Sequence, residues 1–263
     1  MELTLYQIDA FTDHVFGGNP AGVCPLDHWP DDQSLQNIAA ENNLAETAFF
    51  VPENDGYRLR WCTPTVEVDL CGHATLASGY VVFHYLQPDW KLIPFYTRSG
   101  RVTVAREGDR LILDFPSRPG VRLDEFNQIS EALGLAPREV YKARDLLCVY
   151  DSADAIRQLR PRMDLVAQLE CLGVIVTAPG DAVSGGVDFV SRFFAPQSGI
   201  AEDPVTGSAH CTLTPYWSAR LNKSELHARQ ISTRGGELWL TQAGDRVRIA
   251  GQAVQYLRGT IEI

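Results

Sequence analysis

An α+β fold of two similar lobes, each a sheet curled around one central helix, is what this 263-residue sequence predicts. Three observations lead there. The first is an internal repeat. Arg60-Trp61-Cys62-Thr63-Pro64, continuing through Asp69-Leu70-Cys71 to Gly72-His73-Ala74, matches Arg192-Phe193-Phe194-Ala195-Pro196, continuing through Glu202-Asp203 to Gly207-Ser208-Ala209. The arginines stand 132 residues apart and the glycines 135, so the second copy has gained three residues. A repeat of about half the chain, seen once, is too long for a solenoid and implies two lobes. The second observation is that the glycine of each copy leads into a helical pattern. After Gly72 that pattern is apolar almost all round (Leu76, Ala77, Tyr80, Val81, Val82, Phe83), the mark of a helix buried on most sides. The third is a matched hairpin downstream. Gly100-Arg101-Val102-Thr103-Val104 with Gly108-Asp109-Arg110 corresponds to Gly236-Glu237-Leu238-Trp239-Leu240 with Gly244-Asp245-Arg246.

Taken in order, residues 3–10 alternate as a strand, and residues 11–22 form a turn-rich loop with its sharpest bend at Gly18-Asn19-Pro20. Asp31 or Asp32 caps a helix that runs to Asn43, with Leu35, Ile38 and Ala39 on one face. Residues 44–51 enter a strand at Glu46, and residues 57–62 form another by alternation. The first central helix covers residues 73–86, and the hairpin 101–115 turns at Glu107-Gly108-Asp109. Pro116-Ser117-Arg118-Pro119-Gly120 is the proline–glycine cluster between the copies, which sets the lobes at 1–117 and 118–263. The second lobe carries helices near 124–134, 153–159 and 163–169, then strands near 172–178 and 186–194. Its central helix runs from Ser208, an N-cap by residue type, to Leu221, with Pro215 removing one helical hydrogen bond. A last strand, 254–263, has no counterpart in the first copy and is available to cross back to the first lobe's sheet.

Composition restricts function. Hydrophobic residues at 45% and charged residues at 21% are ordinary for a globular protein. A net charge of −10 argues against nucleic acid or an anionic membrane as partner, since both need a basic face. It leaves room for a small anionic metabolite, because helix N-termini offer local seats for anions. No stretch reaches the ~18 apolar residues of a membrane span, and the first residues lack the basic and apolar regions of a signal peptide. Six scattered cysteines without CxxC spacing suit free thiols in a cytoplasmic protein. Cys71, His73, His210 and Cys211 match no familiar zinc spacing, so no metal is expected. No G-x-S-x-G, G-x-G-x-x-G or P-loop motif implies a serine hydrolase or a nucleotide cofactor.

Gly18-Asn19-Pro20-Ala21-Gly22, Leu44-Ala45-Glu46-Thr47-Ala48, Asp69-Leu70-Cys71-Gly72-His73-Ala74-Thr75 and Glu202-Asp203-Pro204-Val205-Thr206-Gly207-Ser208-Ala209 together resemble the phenazine biosynthesis (PhzF-like) isomerase family. Four motifs in order at compatible spacings, from near residue 9 to residue 211, extend the resemblance over essentially the whole chain. It implies the diaminopimelate epimerase-like fold: two pseudo-symmetric lobes, each a mostly antiparallel sheet wrapped around a helix, with a cofactor-free active site between them and a homodimeric assembly. It also implies Glu46 as catalytic acid/base, and His73 and Asp203 as the polar groups that face it. Gly72, Gly207 and Ser208 would anchor the substrate at the helix N-termini, and Asn19 would contact it.

A glutamate base suits removal of a carbon-bound proton beside a carboxylate or an unsaturated system, and desolvation makes a carboxylate a stronger base. His73, at a helix N-terminus, is suited to the neutral imidazole that donates or relays a proton. Each has a plainer reading: Glu46 at a strand edge facing water, His73 bonding a carbonyl, Asp203 closing a turn before Pro204, Ser208 serving only as a cap. Racemases of the same superfamily use two facing cysteines. Here Cys71 precedes Gly72 while Thr206 precedes Gly207, and one thiol cannot supply a symmetric two-base pair. The expected function is a cofactor-independent isomerase that shifts a proton on a small carboxylate-bearing, cyclic or unsaturated metabolite. The alternative, from another class, is a catalytically quiet relative that binds a metabolite or a protein partner.

Overall fold

The computed structural model describes residues 1–263. The chain separates into two compact units, Met1–Asp114 with Ala250–Ile263, and Phe115–Ile249.

In the first unit, strand Glu2–Ala10 pairs antiparallel with Asn19–Pro25, which runs parallel to Glu46–Glu53. Glu46–Glu53 is antiparallel to Gly56–Cys62, whose start runs parallel to Leu92–Thr97. Antiparallel pairing then continues through Gly100–Glu107 to Arg110–Pro116. The second unit follows the same order of joints. Glu139–Lys142 is antiparallel to Leu146–Val149, which is parallel to Val174–Pro179. Val174–Pro179 is antiparallel to Phe189–Phe194, which is parallel to Glu225–Gln230, and that strand is antiparallel to Gly236–Ala243. The sequence repeat is therefore a repeat of pairings. Its parallel joints fall where a helix intervenes, because parallel neighbours require a crossover. Asp32–Asn42 and Gly72–Val81 make those crossovers in the first unit, and His210–Leu221 makes the second of them in the other.

The strand beside the opening strand differs between units. In the first it is Ala253–Glu262, antiparallel to Glu2–Ala10 from Glu2↔Glu262 to Ala10↔Ala253, with a bulge at Gln7/Ile8. In the second, three residues, Val121–Leu123, take the corresponding edge of Glu139–Lys142.

Helix Gly72–Val81 is buried along nearly its whole length, as its all-round apolar pattern predicts. It lies against Glu2–Ala10, Asn19–Pro25, Glu46–Glu53 and Gly100–Glu107, so the first sheet curls around it. Its buried hydroxyls bond back into the helix, Thr75 to the Cys71 carbonyl and Ser78 to the Ala74 carbonyl. Gly79 permits the close approach, since a Cβ there would stand 2.7 Å from Val104 Cγ1. The helix ends in one wider turn, Val82–Leu86, with i→i+5 bonding.

In the second unit a 3₁₀ turn, Gly207–Ala209, leads into helix His210–Leu221. Pro215 has no N–H to offer the Cys211 carbonyl, and the backbone N–H of Arg118 donates to that oxygen instead, at 2.8 Å. Trp217 is fully buried, stacked on Phe189 at 5.4 Å, and its indole N–H donates to Thr177 Oγ1 at 3.0 Å.

The repeated arginines make the same bond in both units. Arg60 holds Glu67 through Nε at 2.9 Å and Nη2 at 2.8 Å, and Arg192 holds Glu202 through Nε at 2.8 Å and Nη2 at 2.9 Å. Such a two-pronged fork fixes direction as well as distance. It ties the end of a strand to the segment that leads into the central helix.

The structure departs from the sequence expectations in local ways. Residues 11–22 are a loop only as far as Gly18; Asn19 already starts a strand. The loop itself is held by left-handed turns at Phe11 (φ 64) and Phe16 (φ 70), and by the Phe16 N–H donating to the buried Asp9 carboxylate at 2.9 Å. Gly18 (φ +60) closes it, where a Cβ would stand 2.2 Å from the Ala10 carbonyl oxygen. Asp31, rather than Asp32, is the cap of its helix, accepting from the Ser34 N–H at 2.9 Å. Ser208 caps nothing. It lies inside the 3₁₀ turn, and Thr206 is the extended residue before that turn.

Candidate active site

Glu46 opens strand Glu46–Glu53, in parallel register with Ala21 and two residues beyond the position beside Asn19. His73 is the second residue of helix Gly72–Val81. The fold brings their side chains together: His73 Nε2 lies 3.2 Å from Glu46 Oε2, with side-chain exposures of 5% and 14%. On its other side, the His73 Nδ1 accepts from the fully buried Asn19 amide at 3.2 Å, and Cys71 Sγ lies 3.5 Å away. With Nδ1 accepting, the ring proton is assigned to Nε2, facing the glutamate. Burial lowers the His73 pKa from 6.5 to about 3, so the ring is neutral at physiological pH. A neutral imidazole N–H beside a carboxylate is a proton relay or a hydrogen-bond donor, not a counter-ion.

Gly72 begins the helix, and the Cys71 side chain at its N-cap position makes no capping bond to the first turn. First-turn N–H groups left by the helix ladder are the usual seat for a ligand anion. Glu46, Cys71 and His73 also present one ligand atom each within 4.8 Å of one another. That is a donor set able to hold a divalent ion, one that the sequence spacing did not suggest because Glu46 comes from a strand and the other two from the start of a helix.

In the second unit Asp203 is 8% exposed and its turn is held by several hydrogen bonds. Its N–H donates to the Phe193 carbonyl at 3.0 Å, and its carboxylate accepts from the Thr206 hydroxyl. Gln230, fully buried, staples the turn: Nε2 donates to the Asp203 carbonyl at 2.8 Å, and Oε1 accepts from the Thr206 N–H at 2.9 Å. The hydroxyl of Thr206, the repeat partner of Cys71, is thus engaged with the Asp203 carboxylate. Gly207 and Ser208 follow directly, and the Ser208 hydroxyl accepts from Arg144 Nη2 at 3.1 Å. His210, fully buried, donates from Nδ1 to the Thr206 carbonyl at 2.9 Å.

The structure therefore gathers Asn19, Glu46, Gly72 and His73 in one unit, and Asp203, Gly207 and Ser208 in the other. Sequence reasoning missed Gln230 and Arg144. Gln230 had a signal: Leu226, Ala228 and Gln230 are the buried positions of their strand, and a polar residue on the buried phase of an alternation needs a dedicated partner.

A pH dependence follows from the two buried histidines. Burial holds His73 at about 3 and His210 at about 4, both below 6.5. Their neutral forms favour the folded state, so this stability is complete above pH 6.5. It is lost as pH falls toward 4 and 3, where the unfolded chain takes up protons first. The midpoint of urea unfolding is expected to fall steadily from pH 7 to pH 4, and to fall less in His210→Asn, which keeps a donor for the Thr206 carbonyl. A midpoint flat across this range in the wild type contradicts the burial of both rings.

Comparison with known proteins agrees with this architecture. The model of the family described as phenazine biosynthesis-like protein matches residues 8–259. A Pseudomonas aeruginosa protein named as an uncharacterized isomerase is 51% identical over 263 residues, covering 100% of both chains. The crystal structure of a phenazine biosynthesis protein of the PhzF family from Enterococcus faecalis superposes with a TM-score of 0.96 at 43% identity, covering 100% of both chains. A Pseudomonas aeruginosa structure, named a predicted epimerase, shares the fold with a TM-score of 0.78 at 20% identity, over 98% of this chain and 99% of that one.

Proposed function

The chain belongs to the phenazine biosynthesis-like family and has its diaminopimelate epimerase-like fold, and on that premise we propose that it is a cofactor-independent isomerase that moves a proton on a small, carboxylate-bearing, cyclic or unsaturated metabolite. The observation that carries this is the contact of Glu46 with a buried, neutral His73 whose far nitrogen is fixed by Asn19. Glu46 takes a proton from a carbon adjacent to an acid group or a double bond. The electron pair left behind spreads over the conjugated system, and Glu46 or His73 returns a proton at another carbon. Gly72, Gly207 and Ser208 hold the acidic groups and stabilise the developing negative charge, with Asp203 assisting the transfer. The protein is taken to act in the cytoplasm as a homodimer, which light scattering of the purified chain tests.

The test is a thermal-shift screen of small cyclic carboxylates, followed by incubation of the hits in D₂O. Deuterium uptake at a ligand carbon supports the isomerase. Tight binding without uptake across the panel supports the quiet, ligand-binding alternative.

Cys71 separates this chemistry from a two-thiol racemase. Cys71→Ser is expected to keep deuterium uptake within about tenfold of wild type, against the 10²–10⁴-fold share of a true general base. A loss as large as that of a Glu46 variant would make Cys71 a base. EDTA dialysis is expected to leave uptake unchanged, and added Zn²⁺ to inhibit it by occupying Glu46, Cys71 and His73.

A further inference from the structure

The repeat of strand pairings identifies an anchoring residue that neither the motifs nor the family resemblance assigns. In the first unit, Asn19 stands two residues before Ala21, the first residue in register with the parallel strand that opens at Glu46. Its amide meets His73, the residue after helix-leading Gly72, at 3.2 Å. In the second unit, Arg144 stands two residues before Leu146, the first in register with the parallel strand that opens at Val174. Its guanidinium meets Ser208, the residue after Gly207, at 3.1 Å. The same place in the topology holds a neutral amide in one unit and a fixed positive charge in the other.

That charge is only partly used by the protein. Asp145, 2% exposed, approaches Arg144 Nη2 with one oxygen at a stretched 3.4 Å, and its other oxygen has no hydrogen-bond partner. Arg144 Nε is also buried without a partner. Leaving two polar groups unmet in the interior is costly for a purely structural pair. A ligand oxygen that reaches the Arg144 Nε–H meets the unpaired donor of this cluster. A guanidinium recognises a carboxylate through two parallel N–H bonds, and the Ser208 hydroxyl adds a third donor once it turns from Arg144. Burial raises the Asp145 carboxyl above its ordinary range, and the neighbouring Arg144 charge opposes that rise.

We infer that Arg144 is a specificity-determining residue that, with Ser208, binds a carboxylate group of the substrate, and that Asp145 positions its guanidinium. The inference rests on the proposed carboxylate-bearing substrate, and it explains why such a substrate is chosen over its neutral analogues.

The test is isothermal titration with three matched pairs: benzoate and benzamide, 2-aminobenzoate and 2-aminobenzamide, cyclohexene-1-carboxylate and its carboxamide. The wild type is expected to prefer the carboxylate in at least one pair by about tenfold or more, the scale of one charge-assisted bond. Arg144→Gln is expected to erase that preference while leaving amide binding unchanged. Arg144→Lys, which keeps the charge and loses the fork, is expected to keep part of it, and decides the matter if the glutamine variant does not fold by circular dichroism. Carboxylate preference unchanged in the Gln variant, or in the Lys variant where Gln does not fold, overturns the inference, as does no preference in any pair by the wild type. Glu46→Gln is expected to bind the same carboxylates like wild type. Deuterium uptake surviving Glu46→Gln, with an Arg144-dependent preference intact, would sink the acid/base reading alone. Uptake lost in Glu46→Gln, with preference indifferent to Arg144, would sink this inference alone.

Discussion

Glu46→Gln lowers turnover by about 10²–10⁴-fold, the contribution of a positioned general base, while ligand affinity stays within about threefold of wild type. The substitution keeps the volume of the side chain and keeps an oxygen that can accept from His73 Nε2, 3.2 Å away. It removes only the basicity. A structural glutamate would behave differently. At 14% exposure, loss of its charge beside a neutral imidazole would alter stability rather than rate, and turnover would stay near wild type. Kinetics and melting temperature measured on the same preparation separate these two outcomes. The neutral His73 matters to this expectation. Were the ring charged, the pair would be an ion pair, and removing one partner would strand a buried charge.

Trp217→Ala destabilises the protein by about 3–5 kcal/mol, the usual cost of emptying a large aromatic site in a core. The ring is fully buried on helix His210–Leu221, it stacks on Phe189 at 5.4 Å, and its N–H is met by Thr177 at 3.0 Å. That loss is a large part of the ~5–15 kcal/mol that holds a typical domain together. Trp217→Phe keeps the stacking and loses the hydrogen bond, and is expected to cost only about 1 kcal/mol from that bond. Thr177 stays satisfied as a donor, since its hydroxyl already donates to the Val190 carbonyl at 2.7 Å. Urea unfolding followed by tryptophan-independent circular dichroism measures both. An alanine variant within 1 kcal/mol of wild type contradicts the packing. The helix continues the turn that presents Gly207 and Ser208, so the alanine variant also loosens the second anchoring site.

Much of the fold is legible in the sequence because the features that carry it are local or repeated. The all-round apolar run after Gly72 is a buried helix, and both hairpins show their glycine turns. The repeat of Arg60 and Arg192 reappears as two matching forks onto Glu67 and Glu202. Strands Leu92–Thr97 and Glu225–Gln230 escaped the period. Pro94 interrupts the first, and the second is built from residues with weak strand preference, with Gln230 on its buried side. Asn19–Pro25 was hidden by its own turn-formers: Pro20 and Gly22 lie inside a strand because the loop before them ends at Gly18. Ser208 has the composition of a cap, but its hydroxyl is taken by Arg144, a partner 64 residues away that no local pattern reveals. The same limit applies to the Asn19–His73 contact, whose partners stand 54 positions apart, and to the bonds from Gln230 to the Asp203–Thr206 turn. Motif resemblance could name such residues; only the fold shows what each one touches.

Deuterium incorporation from D₂O into a bound cyclic carboxylate, followed by mass spectrometry for wild type and Glu46→Gln side by side, is the decisive measurement. Uptake by the wild type, and its loss in a variant that still binds, is what a Glu46-centred proton shift requires. Equal uptake by both proteins would place the base elsewhere and contradict the assignment of Glu46.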